Sequence, residues 1–277
     1  MTSSQKVRDA KLSIIIVNFN SGDLLKNCLS SICRHIEVNF EVIVYDNAST
    51  DTSISCLTYD GRITIISGQE NLGFARANNL AAETATGEYL HFLNPDILVN
   101  QILSADYHEI FRAALPAIYV TSLTDTSGNL QKNKHLVARI GNIARYVMGS
   151  SRVAYWNLGA SIIIRADAFR RMGGWPEDYF MYAEDLDFFY RSFKAGIPVF
   201  YKDTRLIHIG KGVTHQIWSD EQRASIIERS FKAFYRKYHA LWEYFLIRPI
   251  QLLYLLANEP GSFPLYAKVF FQTFLKK

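Results

Sequence analysis

The residues with most chemical potential lie where apolar runs stop. Glu88-Tyr89-Leu90-His91-Phe92-Leu93 breaks off into Asn94-Pro95-Asp96. Proline has no N–H to donate, so it ends a strand ladder. Asp96 is thereby left at the carboxyl edge of a sheet, where open α/β sheets bind their ligands. A carboxylate there suits a hard divalent cation holding a phosphate. A simple strand-ending turn accounts for the same three residues. Three further polar runs follow apolar stretches: Asn18 with Asn20, Asp46-Asn-Ala-Ser-Thr-Asp51, and Asn71-Leu-Gly-Phe-Ala-Arg76. An aspartate followed by Asn, Ser and Thr offers acceptors for base N–H groups and ribose hydroxyls. The same cluster is also a good helix N-cap.

These loops need elements to position them. Residues 12–17 and 41–45 read as buried strands, 62–66 and 88–93 as two more, with helices over 23–35 and 75–85 between them. The alternation implies right-handed βαβ units and a mostly parallel sheet flanked by helices, with the loops converging on one crevice. Farther on, 102–114 and 184–195 read as helices, 117–122 and 158–164 as strands, and 124–152 as a polar, basic, irregular insertion. The segment 198–209 reads as two short extended pieces. Residues 220–277 have a helical pattern and many aromatics.

Composition excludes several classes. Apolar residues make up 49% and charged residues 20% of the 277, an ordinary folded balance. Cys28, Cys33 and Cys56 lack metal-ligand spacing and read as free thiols in a reducing compartment. Residues 1–11 are polar and the apolar stretch behind them is only strand-length, so no leader is expected. The net charge of +4 is uneven: residues 1–230 carry −1 and residues 231–277 carry +5. This argues against a nucleic-acid footprint on the body and points the tail toward an anionic partner such as a membrane surface. The apolar stretch 241–257 holds Glu243, Arg248, Pro249 and Gln251, too polar and short for a spanning helix. It fits either an interfacial anchor or a helix packed on protein.

In series, the loops resemble glycosyltransferase family two, the GT-A enzymes that use nucleotide-diphospho-sugars. The resemblance runs from about residue 11 to 212. It rests on Ile-Ile-Val-Asn18-Phe-Asn20, Val-Tyr-Asp46-Asn-Ala-Ser-Thr-Asp, Asn71-Leu-Gly-Phe-Ala-Arg-Ala-Asn-Asn and Phe-Leu-Asn94-Pro-Asp96. It continues in Trp156-Asn-Leu-Gly-Ala-Ser, Gly173-Gly-Trp, Tyr179-Phe-Met-Tyr-Ala-Glu184-Asp185-Leu-Asp187 and His208-Ile-Gly-Lys211-Gly. The branch it looks closest to includes bacterial rhamnosyltransferases of O-antigen, capsule and cell-wall polysaccharide synthesis.

The resemblance implies roles. Asp46 would contact the base. Asn18, Asn20, Asn71, Gly73 and Arg76 would line the nucleotide-sugar pocket with Asn94 and Lys211. Asp96 would match the last acid of the family's Asp-x-Asp motif, holding Mg²⁺ or Mn²⁺ with His208. Asn94 replaces the first acid and is a weaker ligand. Asp185, with Glu184 as the alternative, would be the base that takes the acceptor proton, kept ionised by a helix N-terminus. Asp187 reads as an i,i+4 partner of Arg191. Trp156 would border the acceptor, or simply be buried.

The expected architecture is an α/β GT-A domain over 12–218, preceded by a tail at 1–11 and followed by a helical membrane-associating or packing segment at 219–277. The expected function is inverting transfer from a nucleotide-diphospho-sugar to a lipid-linked or polysaccharide acceptor at the cytoplasmic face of the inner membrane. dTDP-rhamnose is the leading donor; UDP-galactose, UDP-galactofuranose and UDP-N-acetylglucosamine are the alternatives. A sugar nucleotidyltransferase would need a charged triphosphate loop after the first strand, which Asn18–Gly22 lacks. A non-catalytic glycan-binding protein on the same fold is the remaining rival. Homo-oligomerisation is left open.

Overall fold

The computed structural model describes residues 10–55, 57, 60–210 and 217–275. Residues 1–9, Cys56 and Lys211 therefore lie outside the described residues. Cys28 and Cys33 are free.

The chain begins with β1 (Leu12–Asn18), α1 (Asp23–His35), β2 (Phe40–Asp46), β3 (Ile63–Ser67), α2 (Phe74–Thr84), β4 (Tyr89–Leu93) and the short β5 (Ile97–Leu98). It continues through α3 (Ser104–Ala113), β6 (Ile118–Thr124), β7 (Lys134–Leu136), α4 (Ile140–Val147), β8 (Tyr155–Asn157), β9 (Ser161–Arg165) and α5 (Ala166–Arg171). Last come α6 (Glu184–Ala195), β10 (Val199–His208), α7 (Asp220–Lys237), α8 (Leu241–Asn258) and α9 (Phe263–Leu275).

One sheet runs β3-β2-β1-β4-β9-β6-β10-β5. β9 is antiparallel to both neighbours, β5 is antiparallel to β10, and the other pairs are parallel. The carboxyl ends of β1, β2 and β4 therefore share one edge, and β9 starts from it. β1 is apolar on both faces because both are covered: Ile14 and Ile16 pack toward α1, Ile15 toward α2. β4 is buried throughout. Its His91 is held by Tyr107 Oη at 2.8 Å and Ser161 Oγ at 2.9 Å, and burial pushes its pKa down to about 3.

The structure corrects three expectations. Residues 198–209 are not two short pieces but one strand, β10, whose pairing with β6 shifts register between Lys202 and Leu206. Residues 124–152 are not an irregular insertion: they hold β7 and α4, and β7 pairs with β8 in a small hairpin. The stretch 158–164 is not one strand, since residues 158–160 precede β9 as a loop. The tail helices α7, α8 and α9 form a third core with α6 through Phe234, Tyr244 and Phe270. Glu228 is fully buried in it and accepts from Arg248 and Tyr244. No described helix is long and apolar enough to cross a membrane.

Candidate active site

A cleft of about 300 Å³ opens at the carboxyl edge of the sheet, lined among others by Asn71, Asn94, Asp96, Glu184, Asp185 and His208. It lies where β1, β4 and the start of β9 come together, as the crevice rule for α/β sheets requires.

The corner at Asp96 is a turn and a ligand site at once. Asn94 C=O accepts from Ile97 N at 3.2 Å, and Asn94 N–H donates to Ala160 O at 2.9 Å. The Asp96 carbonyl takes the Ile209 N–H, so the end of β10 is fastened beside it. His208 Nε2 then faces Asp96 Oδ1 at 3.6 Å, beyond hydrogen-bond length. On the far side of the ring, Nδ1 lies 2.8 Å from Gln131 Oε1, while Gln131 Nε2 donates to the His208 carbonyl. The amide orientation places a proton on Nδ1, so the neutral form of the ring would turn its Nε2 lone pair toward Asp96. One carboxylate oxygen and one imidazole nitrogen converging this way fit a Mn²⁺ or Mg²⁺ ion. Among the described residues no group of three or more acidic, His or Cys side chains converges, so such an ion would need donor phosphate or water as further ligands.

The opposite wall is the start of α6. Tyr182 (φ 64°) and Ala183 (φ 69°) both have left-handed backbone, a costly arrangement for non-glycine residues that aims Glu184 and Asp185 into the cleft. Asp185 Oδ1 accepts from Leu186 N at 2.8 Å, and the Gly159 amide also donates to the carboxylate. Burial nevertheless outweighs these amides and raises the Asp185 pKa to about 6. The amides at the helix start favour the ionised form, as expected, but desolvation is the larger influence. Glu184 is pushed up further, first by burial and then by the charge of Asp185, and its Oε2 has no hydrogen-bond partner among the described residues. Burial thus opposes ionisation of both carboxyls, and the charge of Asp185 adds to it at Glu184.

Asp187 does not pair with Arg191. It is fully buried and accepts from Lys237 Nζ at 2.7 Å, from Tyr179 Oη at 3.2 Å and from Tyr238 Oη. Arg191 instead donates to the carbonyls of Met172 and Gly174. Two residues past Asp185, this wall of the cleft is therefore clamped to the end of α7.

The structure separates the other expected site residues. Asn71 and Asn94 line the cleft; Asn18, Asn20, Asp46, Gly73, Arg76 and Trp156 do not. Asn18 is fully buried, and its Nδ2 donates to Asp46 Oδ1 at 2.9 Å, tying the ends of β1 and β2 together. Asn20 Oδ1 accepts the Thr50 amide at 2.7 Å, so it braces the second loop. Gly73 has φ 79°, and a Cβ there would sit 2.1 Å from Phe180 O, so its role is close approach of two loops. Arg76 is exposed on α2. Trp156 stacks on His135 in the β7–β8 hairpin, with ring centroids 4.6 Å apart; Trp218 is the tryptophan at the cleft. Asn47, Phe74, Gln131 and Trp218 were not singled out from the sequence. Asn47 stood inside the quoted Asp46–Asp51 run; it lines the cleft and donates to Asn71 Oδ1 at 2.8 Å.

The sheet is mostly parallel, with β9 antiparallel beside β4 and acidic residues at its carboxyl edge. Solved structures agree on the fold. The mannosyltransferase PcManGT of Pyrobaculum calidifontis, in complex with GDP-Man and Mn²⁺, matches with TM-score 0.54 and 20% identity, covering 94% of this chain and 74% of that one. S. aureus TarS 1–349 in complex with UDP matches with TM-score 0.54 and 16% identity, covering 82% and 72%. The sequence carries the assignment further: the profile described as glycosyl transferase family 2 matches residues 13–159, and the chain belongs to that family. Rhamnosyltransferase WbbL of Escherichia coli K12 is 28% identical over 211 residues, 68% of this chain and 79% of that protein. An N-acetylglucosaminyl-diphospho-decaprenol L-rhamnosyltransferase of Mycobacterium tuberculosis is 24% identical over 235 residues, 71% and 75% of the two chains. The protein is a glycosyltransferase, which sets aside the nucleotidyltransferase and non-catalytic alternatives.

Proposed function

We propose that this glycosyltransferase moves a sugar, with inversion, from a nucleotide-diphospho-sugar to a hydroxyl of a lipid-linked or polysaccharide acceptor in bacterial surface-glycan synthesis, such as O-antigen or capsule. The observation that carries this reading is the buried Asp185, with its pKa near 6, in one cleft with Asp96 and His208. Asp185 takes the proton of the acceptor hydroxyl as that oxygen attacks the anomeric carbon. The bond from that carbon to the diphosphate oxygen breaks on the opposite face, which inverts the centre. A carboxylate with a pKa near 6 is a stronger base than an ordinary aspartate yet still ionised at pH 7. Asp96 and His208 would hold the divalent ion, which when bound offsets charge on the departing diphosphate. Asn71, Asn94 and Asn47 are assigned to the donor, Asn18, Asn20, Asp46 and Gly73 to shaping its loops.

dTDP-rhamnose is the leading donor, supported by the two relatives named rhamnosyltransferases. A UDP-hexose is the alternative, since one structural relative is in complex with UDP. We assign residues 12–218 to the transferase domain and 219–277 to a segment that packs on α6 and meets the cytoplasmic face of the inner membrane. A thermal-shift screen of nucleotide-sugars with and without Mn²⁺ tests the reading, because a bound donor stabilises the fold by mass action. Stabilisation by one nucleotide-sugar family, increased by Mn²⁺, is expected; indifference to all of them contradicts it.

A further inference from the structure

Two helices joined at their starts each expose an apolar set. On α8, Trp242, Leu246, Ile250, Leu253 and Tyr254 are each at least 55% exposed and recur at helical spacing, so they form one stripe. On α4 and just past it, Val147 and Met148 are 77% and 74% exposed, with Ile140 and Tyr146 beside them. The two helices are joined at their starts: Arg139 grips Glu243 with Nε–Oε2 at 2.8 Å, and the Ile140 amide donates to the same oxygen at 2.9 Å. Ile140 and Trp242 thus flank a common contact.

The charge of the segment that carries α4 is one-sided. Between Asp125 and Asp167 the sequence has six Lys/Arg and no acid. Arg139 and Arg165 are in ion pairs. Among the described residues Lys132, Lys134, Arg145 and Arg152, all exposed, are in none. A second copy of the chain docked on this face about a two-fold axis would bring these cations against themselves. An anionic bilayer neutralises them, while the apolar stripe and its Trp and Tyr enter the headgroup boundary.

We propose that α4 and α8 together form a composite docking surface for an anionic lipid bilayer. The surface also orients the enzyme. α4 is carried between the two strands of the β7–β8 hairpin, and the chain leaving β8 becomes the cleft wall at Leu158, Gly159 and Ala160. Leu158 N–H is tied to Asn133 Oδ1 at 2.8 Å, across the hairpin. A bilayer held by α4 therefore lies on the wall side of the cleft, where a lipid-linked acceptor would arrive. The surface deepens the membrane contact proposed above for residues 219–277, and the orientation rests on the proposed acceptor; neither depends on the identity of the donor.

The test is flotation of the full chain with phosphatidylglycerol-containing vesicles and with pure phosphatidylcholine vesicles. Preferential binding to the anionic vesicles, weakened by 0.5 M salt, is expected on electrostatic grounds (binding of this kind is screened on the order of 10 Å at 0.1 M salt). Val147→Gln with Met148→Gln should lower binding about fivefold or more, as should Leu246→Gln with Ile250→Gln, and Arg145→Gln with Arg152→Gln. Donor hydrolysis without lipid and the thermal melt should be unchanged in all three. Equal binding to both vesicle types, wild-type binding by the α4 variant, or a wild-type dimer in light scattering that the variants dissolve would each overturn the proposal. Anionic-vesicle binding in a protein that hydrolyses no nucleotide-sugar upholds the surface and sinks the functional reading alone.

Discussion

His208 Nε2 points at Asp96 Oδ1 from 3.6 Å, with Gln131 holding the opposite ring nitrogen at 2.8 Å. Two lone pairs kept face to face by an outer hydrogen bond describe a place for a cation. Gln131→Leu removes the outer partner and leaves both facing groups. Second-layer partners of this kind are worth roughly 10–100-fold in metal affinity. The Mn²⁺ concentration for half-maximal activity should rise by about that factor, with kcat at saturating Mn²⁺ nearly restored. An unchanged metal titration would remove Gln131 from this role.

The acid pair gives a pH signature. Asp185 must be ionised to act, and burial sets its pKa at about 6. kcat/KM should therefore rise with pH through a midpoint near 6 and level off above it, provided the donor is not itself titrating there. Glu184 does not set this value: burial and amide bonds account for the Asp185 shift, whereas the charge of Asp185 raises Glu184. Glu184→Gln should keep the limb near pH 6. A limb displaced to pH 4 in the wild type would contradict the buried-base picture.

Asp187 carries no exposed surface and has a lysine and two tyrosines as donors. Lys237→Met strips the charge partner from a buried carboxylate, a change that typically costs about 3–5 kcal/mol. The chemical-denaturation midpoint should fall accordingly. Because the clamp lies two residues beyond Asp185, surviving activity should show a lowered kcat with little change in donor KM. A loss under 1 kcal/mol on the scale of exposed pairs would mean that the clamp does not hold the wall.

Gly73 has φ 79°, and any Cβ there would meet Phe180 O at 2.1 Å. Gly73→Ala must push apart the loops after β3 and before α6. Donor affinity should drop about tenfold or more while the secondary structure by circular dichroism stays intact, since strained turns of this kind cost on the order of 1–3 kcal/mol. Wild-type affinity would show that the two loops move independently of the donor site.

The strands β1, β2 and β4 were legible because burial on both faces leaves uninterrupted apolar runs, and Pro95 marks where the last one stops. The hairpin and α4 were not: three-residue strands have no readable period, and Gly141 inside α4 looks like a loop signal. Tertiary partners were equally hidden. Asp187 and Arg191 have ideal helical spacing, yet Lys237, 50 residues away, takes the carboxylate. Trp156 and Trp218 look alike in sequence; only the hairpin that stacks Trp156 on His135 tells them apart. The raised pKa of Asp185 was masked because helix-end electrostatics is visible in a sequence and desolvation is not.

The central claim is that Asp185 is the base of an inverting transfer. Its most direct test is Asp185→Asn, with sugar transfer and nucleotide-sugar binding measured on the same preparation. Loss of transfer by about 10²–10⁴-fold, the range for a positioned general base, with donor affinity within threefold of wild type, is the predicted result. Turnover within tenfold of wild type would contradict it.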